Sequence, residues 1–214
     1  MDPALPKQAM AEIVGTFFLT LAALVSGTPF AVALTLAAFV YAIGGISGCN
    51  INPAVTVGLV ALRRLPLTTG VYYIIAQVLG AIVAFLVLSF THNLPAVVYT
   101  QGTVPAEFLG IGFLVFVVAA LSHGFVPDAG SGIAIGSALG AGLLTSKGIL
   151  NPAVAIAMSL ANRALLWPSI VATLVGAAVF ALLFQIIAVG GKSDATGPED
   201  KGDDKDKSKD KDKS

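Results

Sequence analysis

Six stretches of mostly apolar residues along the chain are each long enough to cross a membrane. A helix that spans the hydrocarbon core requires about 20 such residues. The stretches run approximately from Ala9 to Ser26, Pro29 to Gly45, Thr68 to Phe90, Glu107 to Leu121, Gly130 to Leu144, and Leu166 to Val189. We therefore predict an all-α membrane protein with six transmembrane helices.

Two further apolar stretches are too short to span. They run from Asn52 to Leu62 and from Asn151 to Ala161. At about 1.5 Å of rise per residue, each reaches only about halfway across a bilayer. Both begin with Asn-Pro-Ala-Val. We predict that they are re-entrant half-helices.

The chain contains an internal duplication. Residues 11–19 resemble residues 106–114, an offset of 95, and the two Asn-Pro-Ala-Val segments are offset by 99. Ala76, Gly80 and Ala81 match residues 172, 176 and 177, an offset of 96. Each repeat holds three spans, so the second is inserted with the opposite orientation. We expect repeat one over about residues 8–90 and repeat two over about 105–190, together forming one channel domain over residues 1–191.

Composition and charge agree with this division. Hydrophobic residues make up 56% of the chain and charged residues only 11%. The last 23 residues, 192–214, hold 7 lysines and 8 acidic residues, which leaves nine charged residues for the first 191. Soluble domains carry about 25% charged residues, so the body of the chain belongs in a lipid bilayer. The tail has almost nothing apolar to bury, and we predict that residues 192–214 are disordered.

Several classes of function are excluded or disfavoured by composition. The net charge is zero, which gives no reason to expect binding of nucleic acid. One cysteine and two histidines, far apart, make no metal or haem site, and we expect no cofactor and no enzymatic activity. Basic residues concentrate on the cytoplasmic side of membrane proteins. Lys7, Arg63, Arg64 and the tail outweigh Lys147 and Arg163, so both termini should be cytoplasmic in a multi-pass cell-membrane protein.

The two half-helix starts carry the candidate chemistry. Proline fits the first turn of a helix, and a preceding asparagine can cap it. In an inverted repeat the two starts meet at the bilayer centre, where their N-termini place partial positive charge. Water in single file can bind the asparagine amides and the carbonyl groups of the preceding loops. We expect the pore midpoint at Asn52, Pro53, Ala54, Asn151, Pro152 and Ala153, and pore-lining carbonyls at Gly48, Cys49, Asn50, Ile149 and Leu150.

At these residues the chain resembles the aquaporin, or major intrinsic protein, family. The segment from Ile46 to Thr56 is similar to the first signature of that family, and Ala11-Glu12-x-x-Gly15-Thr16-Phe17 and Ala76-Gln77-x-x-Gly80-Ala81 are similar to its other landmarks. The resemblance covers about residues 8–190. It implies an aquaporin-like fold and a homotetramer in which each subunit has its own pore for water and small neutral solutes. It also implies that Glu12 and Glu107 brace the two half-helix loops.

The chain departs from the family pattern at the selectivity filter. An arginine usually follows the second Asn-Pro-Ala, but here Val154 does. Alignment of the motifs places the filter at Val32, Leu143, Gly148 and Val154, with Gly142 as the alternative to Leu143. This ring has no charge and no side-chain donor. Ala155 stands where glycerol conductors usually carry aspartate. We therefore expect a water channel that also passes small neutral solutes such as ammonia, with glycerol and urea left open.

Two other functions are compatible with six spans in an inverted repeat. One is a formate/nitrite-type anion channel, which has a similar architecture but lacks paired Asn-Pro-Ala starts. The other is a structural membrane protein in which the pore is vestigial.

Overall fold

The computed structural model describes residues 3–91 and 103–190, with side chains as far as residue 188. These residues contain only helices and connecting turns, with no strand. The α-helices are α1 (Leu5–Ser26), α2 (Pro29–Ser47), α3 (Pro53–Ala61), α4 (Leu67–Phe90), α5 (Val104–Ser122), α6 (Ser131–Ser146), α7 (Pro152–Asn162) and α8 (Trp167–Gly190). A 3-10 turn, Asp128–Gly130, precedes α6. Six segments are long and apolar enough to cross a bilayer, and the predicted fold class is confirmed.

The helix boundaries differ from the predicted ones by a few residues. Helices α1 and α5 begin earlier than expected, each with a proline in its first turn, where proline needs no backbone N–H. Helix α2 continues through Gly44 and Gly45 to Ser47, two residues beyond the predicted end of the span at Gly45. A glycine in a helix costs only about 1 kcal/mol, and the surrounding apolar residues favour the helix. The predicted tail, residues 192–214, lies outside the described residues.

Helices of the two repeats interlock, because each repeat packs helices against the other. Within the repeats, α1 packs on α4 and α5 packs on α8, and α2 and α6 join the two repeats. The half-helices cross over: α3 packs on α8, and α7 packs on α4. Each half-helix therefore completes its packing on the opposite repeat.

Matched glycines allow the equivalent helix pairs to cross closely. A Cβ on Gly176 would stand 2.6 Å from the carbonyl oxygen of Phe108, and a Cβ on Gly80 would collide with the carbonyl of Ile13. The two pairs occupy equivalent places in the repeats. Gly136, on α6, would similarly meet the carbonyl of Ala33 on α2 at 2.7 Å. Small residues at such crossings let helix backbones approach within a membrane.

The distribution of side chains is that of a membrane protein. Large apolar side chains on the outside remain exposed, among them Phe30 at 73% and Phe90 at 80%. The polar residues Glu12, Gln77 and Glu107 are instead fully buried. An apolar exterior and polar groups that are satisfied internally suit a lipid environment. The protein is therefore a multi-pass membrane protein.

Candidate functional site

Each half-helix begins at the asparagine of an Asn-Pro-Ala segment, which acts as the N-cap. Asn52 Oδ1 accepts a hydrogen bond from the backbone N–H of Ala54 at 2.9 Å. Asn151 Oδ1 accepts from Ala153 at 3.0 Å and from Val154 at 3.4 Å. Both asparagines have extended backbone conformation, and a proline follows each in the first helical turn. These bonds satisfy N–H groups that a helix start otherwise leaves unpaired.

The amide nitrogens of the two asparagines bond across the repeat boundary. Asn52 Nδ2 donates to the carbonyl oxygen of Leu150 at 2.8 Å, and Asn151 Nδ2 donates to that of Ile51 at 3.0 Å. Each amide therefore ties one half-helix to the residue that precedes the other. An amide NH₂ has two hydrogens, so each retains a second donor.

The first half-helix loop is held by the carboxylate of Glu12. Its Oε1 accepts from Ser47 Oγ at 2.6 Å and from the Asn50 backbone N–H at 3.0 Å. Its Oε2 accepts from the Ile51 backbone N–H and from Gln77 Nε2, both at 2.7 Å. Four donors surround a fully buried carboxylate, which offsets the cost of removing it from water.

Glu107 holds the second loop with fewer partners. Its Oε1 accepts from the Ile149 backbone N–H and its Oε2 from that of Leu150, both at 2.9 Å. Ile149 and Leu150 correspond to Asn50 and Ile51 of the first repeat. The two carboxylates thus bind equivalent backbone groups.

Both loops turn through left-handed backbone conformations. The φ angles are 52° at Cys49, 39° at Ile51 and 57° at Leu150. For residues other than glycine this conformation costs roughly 1–2 kcal/mol each. The hydrogen bonds to Glu12 and Glu107 hold the adjacent N–H groups and stabilise these bends.

Two cavities approach the asparagine pair from opposite ends of the helix bundle. The first, called here the Val154 cavity, has a volume of about 390 Å³, and Thr28 and Lys147 contribute to its wall. The second, the Arg64 cavity, has a volume of about 750 Å³ and is walled in part by Gly44 and Asp128. Asn151 lines the first and Asn52 the second, and Leu19 and Leu139 line both. The cavities therefore adjoin where the two half-helices begin.

The four residues predicted to form the selectivity filter all lie in the wall of the Val154 cavity. They are Val32, Leu143, Gly148 and Val154. The alternative residue, Gly142, packs instead against the carbonyl of Gly110, where a Cβ would stand 2.9 Å away. Of the two candidates on α6, it is thus Leu143 that faces the cavity.

The residues predicted to offer pore-lining carbonyls divide between the cavities. Gly48, Cys49 and Asn50 line the Arg64 cavity, and Ile149 lines the Val154 cavity. Leu150 lines neither, and its carbonyl accepts the bond from Asn52. Their roles in conduction stay predictions, as do those of Pro53, Ala54, Pro152 and Ala153.

The family of the protein follows from comparison with known sequences. The model of the major intrinsic protein family matches residues 2–184. The chain belongs to the major intrinsic protein family. The predicted resemblance is confirmed, and the protein is a passive membrane channel, not an enzyme.

Curated members of the family are about one-third identical to this chain. Aquaporin Z of Bradyrhizobium diazoefficiens is 32% identical, covering 84% of this chain and 92% of that protein. Aquaporin AqpM of Methanothermobacter thermautotrophicus is 33% identical, covering 70% and 81%. Glycerol uptake facilitator protein-like 6 of Lactiplantibacillus plantarum is 32% identical, covering 85% and 98%. The chain thus resembles both family members that are named aquaporins and one whose name refers to glycerol uptake.

A solved structure supports the fold. The aquaglyceroporin from Plasmodium falciparum matches with a TM-score of 0.69 and 20% sequence identity, covering 87% of this chain and 98% of that one. The aquaporin-like arrangement of six spans and two half-helices is therefore shared with a solved member of the family.

Sequence reasoning missed two polar groups around the first loop of this family member, Thr56 and Tyr73. Thr56 Oγ1 accepts from Gln77 Nε2 at 2.9 Å, and Tyr73 donates its hydroxyl to the carbonyl of Ser47 at 2.9 Å. These residues lie on α2, α3 and α4, and they connect the first loop to its neighbours. The signal that could have indicated them is their polarity inside apolar stretches, where an unpaired polar group is costly.

Proposed function

We propose that this chain forms a passive channel for water that also conducts ammonia and other small neutral solutes. The observation that carries the proposal is the convergence of the Val154 cavity and the Arg64 cavity on Asn52 and Asn151. The second N–H of each asparagine amide offers a donor to a permeating oxygen at the junction. Carbonyl groups of Cys49 and Ile149 offer acceptors on either side.

The midpoint opposes the passage of cations. Two helix N-termini meet there, and each carries the equivalent of about half a positive charge. Water oxygens turn toward the asparagine donors, so successive molecules cannot keep one continuous chain of hydrogen bonds. The same field favours neutral permeants over ammonium or hydronium.

The proposed filter is apolar, which affects solute selection. Val32, Leu143, Gly148 and Val154 supply neither a charge nor a side-chain donor. A permeating water molecule loses hydrogen bonds there, whereas a solute with some apolar surface loses less. The names of the relatives, which include both aquaporins and a protein named glycerol uptake facilitator protein-like 6, are compatible with this breadth. Glycerol and urea are candidates to be tested.

The proposal includes an orientation and an assembly. Six spans bring residues 3 and 190 to the end of the bundle that holds the Arg64 cavity. Lys7, Arg63 and Arg64 belong to this end, so we place it in the cytoplasm and the Val154 cavity outside. Family resemblance supports a homotetramer, with the exposed apolar faces covered by lipid and by neighbouring subunits.

Stopped-flow light scattering on proteoliposomes tests this function. Gradients of sucrose, glycerol, urea and ammonia separate water flux from solute flux, and gradients of formate and nitrite test for anion flux. We expect water and ammonia permeability well above that of protein-free liposomes, and no flux of formate or nitrite. Water permeability at the protein-free background would instead favour a vestigial pore. Formate flux would favour the anion-channel alternative.

Two substitutions on one helix provide a matched control. Val32 lines the Val154 cavity, whereas Leu34, two residues along α2, is 54% exposed on the outside. Val32→Trp should block water flux because the indole fills the cavity, and Leu34→Trp should not. Water flux in Val32→Trp as high as in a conducting Leu34→Trp channel would show that water does not pass the proposed filter.

A further inference from the structure

The Val154 cavity contains one charged side chain. Among the lining residues that the structure describes, only Lys147 carries a charge, and none of them is a carboxylate. The Arg64 cavity differs, because Arg64 and Asp128 bring opposite charges to it. The two ends of the proposed pore therefore differ in their electrostatics.

Lys147 is fixed at the edge of the proposed filter by its backbone. It caps α6 in a left-handed conformation with φ of 51°, and its N–H donates to the carbonyl of Leu143 at 2.9 Å. Gly148 is the next residue. The lysine backbone thus stands between two of the four filter residues, while its side chain is exposed at the cavity.

From this placement we infer that Lys147 sets the charge selectivity of the Val154 cavity by repelling cations before they reach the apolar filter. The inference rests on the proposed channel function. The filter side chains hold no charge, and the Glu107 carboxylate beside Gly148 is buried and bound to the N–H groups of Ile149 and Leu150, so no cationic group of the filter itself opposes an ammonium ion. An ammonium group at the edge adds a repulsion that water and ammonia do not experience.

The strength of this repulsion depends on salt. Two unit charges about 6 Å apart in water repel enough to lower the local concentration of a cation about threefold. The Debye length shortens from about 30 Å at about 0.01 M salt to about 3 Å at about 1 M. The selectivity from Lys147 should therefore be large at low ionic strength and nearly absent at high ionic strength.

Arg163 offers a control of the same charge. It caps α7 in a left-handed conformation with φ of 53°, as Lys147 caps α6, but it does not line the cavity. Arg163→Gln thus removes a cation from the same end of the bundle without changing the cavity wall.

The first experiment measures ammonium entry into proteoliposomes under an imposed membrane potential. The potential-dependent part of uptake is ammonium, because ammonia carries no charge. Water permeability is measured on the same vesicles. The quantity compared between variants is the ratio of potential-dependent ammonium uptake to water permeability. At about 0.01 M salt we expect Lys147→Gln to raise this ratio about threefold and Lys147→Glu about tenfold. Lys147→Arg and Arg163→Gln should leave it near the wild-type value, and at about 1 M salt all the variants should converge.

A second experiment measures the electrostatic potential in the Val154 cavity and does not require that the channel conducts. Leu144 lines the cavity and is 66% exposed, so Leu144→Cys in a Cys49→Ser background provides one accessible thiol. Its reaction rates with a cationic and an anionic methanethiosulfonate of similar size are compared. Adding Lys147→Gln should raise the cation-to-anion rate ratio several-fold at low salt, and Arg163→Gln should not.

The outcomes separate this inference from the proposed function. Wild-type vesicles that conduct no water would refute the channel function, and the thiol rates would then decide whether Lys147 controls the cavity potential. Vesicles that conduct water but show the same ammonium ratio with lysine, glutamine and glutamate at position 147 would overturn the inference alone.

Discussion

The carboxylate of Glu107 lies where a side chain on Gly148 would have to stand. A Cβ on Gly148 would be 2.6 Å from the carboxyl carbon and 2.6 Å from Oε2 of Glu107. The same carboxylate accepts the N–H groups of Ile149 and Leu150. The residue proposed for the filter and the residue that holds its loop are therefore in direct contact, and changing one displaces the other.

Gly148→Ala should disrupt the second loop. The added methyl group must push Glu107 away from the N–H groups of Ile149 and Leu150, and buried N–H groups left unpaired cost about 1–3 kcal/mol each. We expect a lower melting temperature in detergent and a large loss of water permeability. Gly45→Ala is the control, because a Cβ at Gly45 meets nothing within 4 Å. A Gly148→Ala protein as stable and conductive as that control would contradict this reading of the contact.

Glu12 and Glu107 should differ in their sensitivity to neutralisation. A glutamine replaces one carboxylate oxygen by an NH₂ group, which removes two hydrogen bonds at Glu12 but only one at Glu107. With about 1.5–3 kcal/mol for each bond to a charged group, we expect losses of about 3–6 kcal/mol for Glu12→Gln and about 1.5–3 kcal/mol for Glu107→Gln. Thermal unfolding of both variants in one detergent ranks them. The reverse ranking would mean that the extra donors at Glu12 contribute little.

The different numbers of hydrogen-bond donors at Glu12 and Glu107 separate what the sequence predicts from what only the packed structure determines. The duplication places the two glutamates at equivalent positions, and the family resemblance implies that each braces its half-helix loop. It does not predict their different numbers of partners. By the offset of 96, Thr173 corresponds to Gln77, but its short side chain donates to the carbonyl of Ser169 in its own helix. Glutamine is long enough to reach the carboxylate of Glu12, and this depends on interhelical distances.

The helices themselves were predictable because membrane spans are long apolar runs and proline marks their starts. The motifs also located Asn52 and Asn151 correctly as helix caps. The acceptors of their amide nitrogens were not predictable, since Leu150 and Ile51 belong to the opposite repeats. A contact between residues about 100 positions apart requires the packed arrangement of both halves.

Asn52→Asp and Asn151→Asp should impair water flux and admit cations. Each carboxylate loses the N–H that binds a carbonyl of the other repeat, and its charge cancels the positive field of the helix N-termini. Water permeability and potential-dependent cation uptake in proteoliposomes are the measurements, after the folded oligomer has been verified by size-exclusion chromatography. Folded variants that both conduct water normally and exclude cations would refute the proposed midpoint.

Val154→Arg should make the proposed filter more selective. A guanidinium adds five N–H donors and a permanent charge to the cavity wall. Water flux should change only a few-fold, because new hydrogen bonds and a smaller opening have opposite effects. The ratio of solute to water permeability for urea or glycerol should fall much more.

Val154→Leu separates narrowing from charge in this experiment. It enlarges the side chain without adding a donor or a charge. It should therefore reduce solute flux, but unlike the charged Val154→Arg it should not lower the leak of cations. A buried charge can also prevent folding, at a cost of several kcal/mol, so oligomer yield is compared first. An unchanged permeability ratio in a folded Val154→Arg channel would place the narrowest point elsewhere.

Deletion of residues 192–214 should leave water permeability and oligomer yield unchanged. The segment is rich in lysine and aspartate and offers almost no apolar surface to bury. The shortened chain is compared with the full chain in the same vesicles. Normal insertion with lost conductance would identify the tail as a regulator of the pore.

The crossed hydrogen bonds of Asn52 and Asn151 have a consequence for biosynthesis. Ribosomes deliver the first repeat to the membrane before the second exists. Until residue 150 has been inserted, the Asn52 amide lacks its carbonyl acceptor, and until α8 follows, α3 lacks its packing surface on that helix. The first repeat is therefore in the bilayer for a time with the Asn52 amide unpaired and α3 incompletely packed. Docking of the late helices is the step that completes both halves at once.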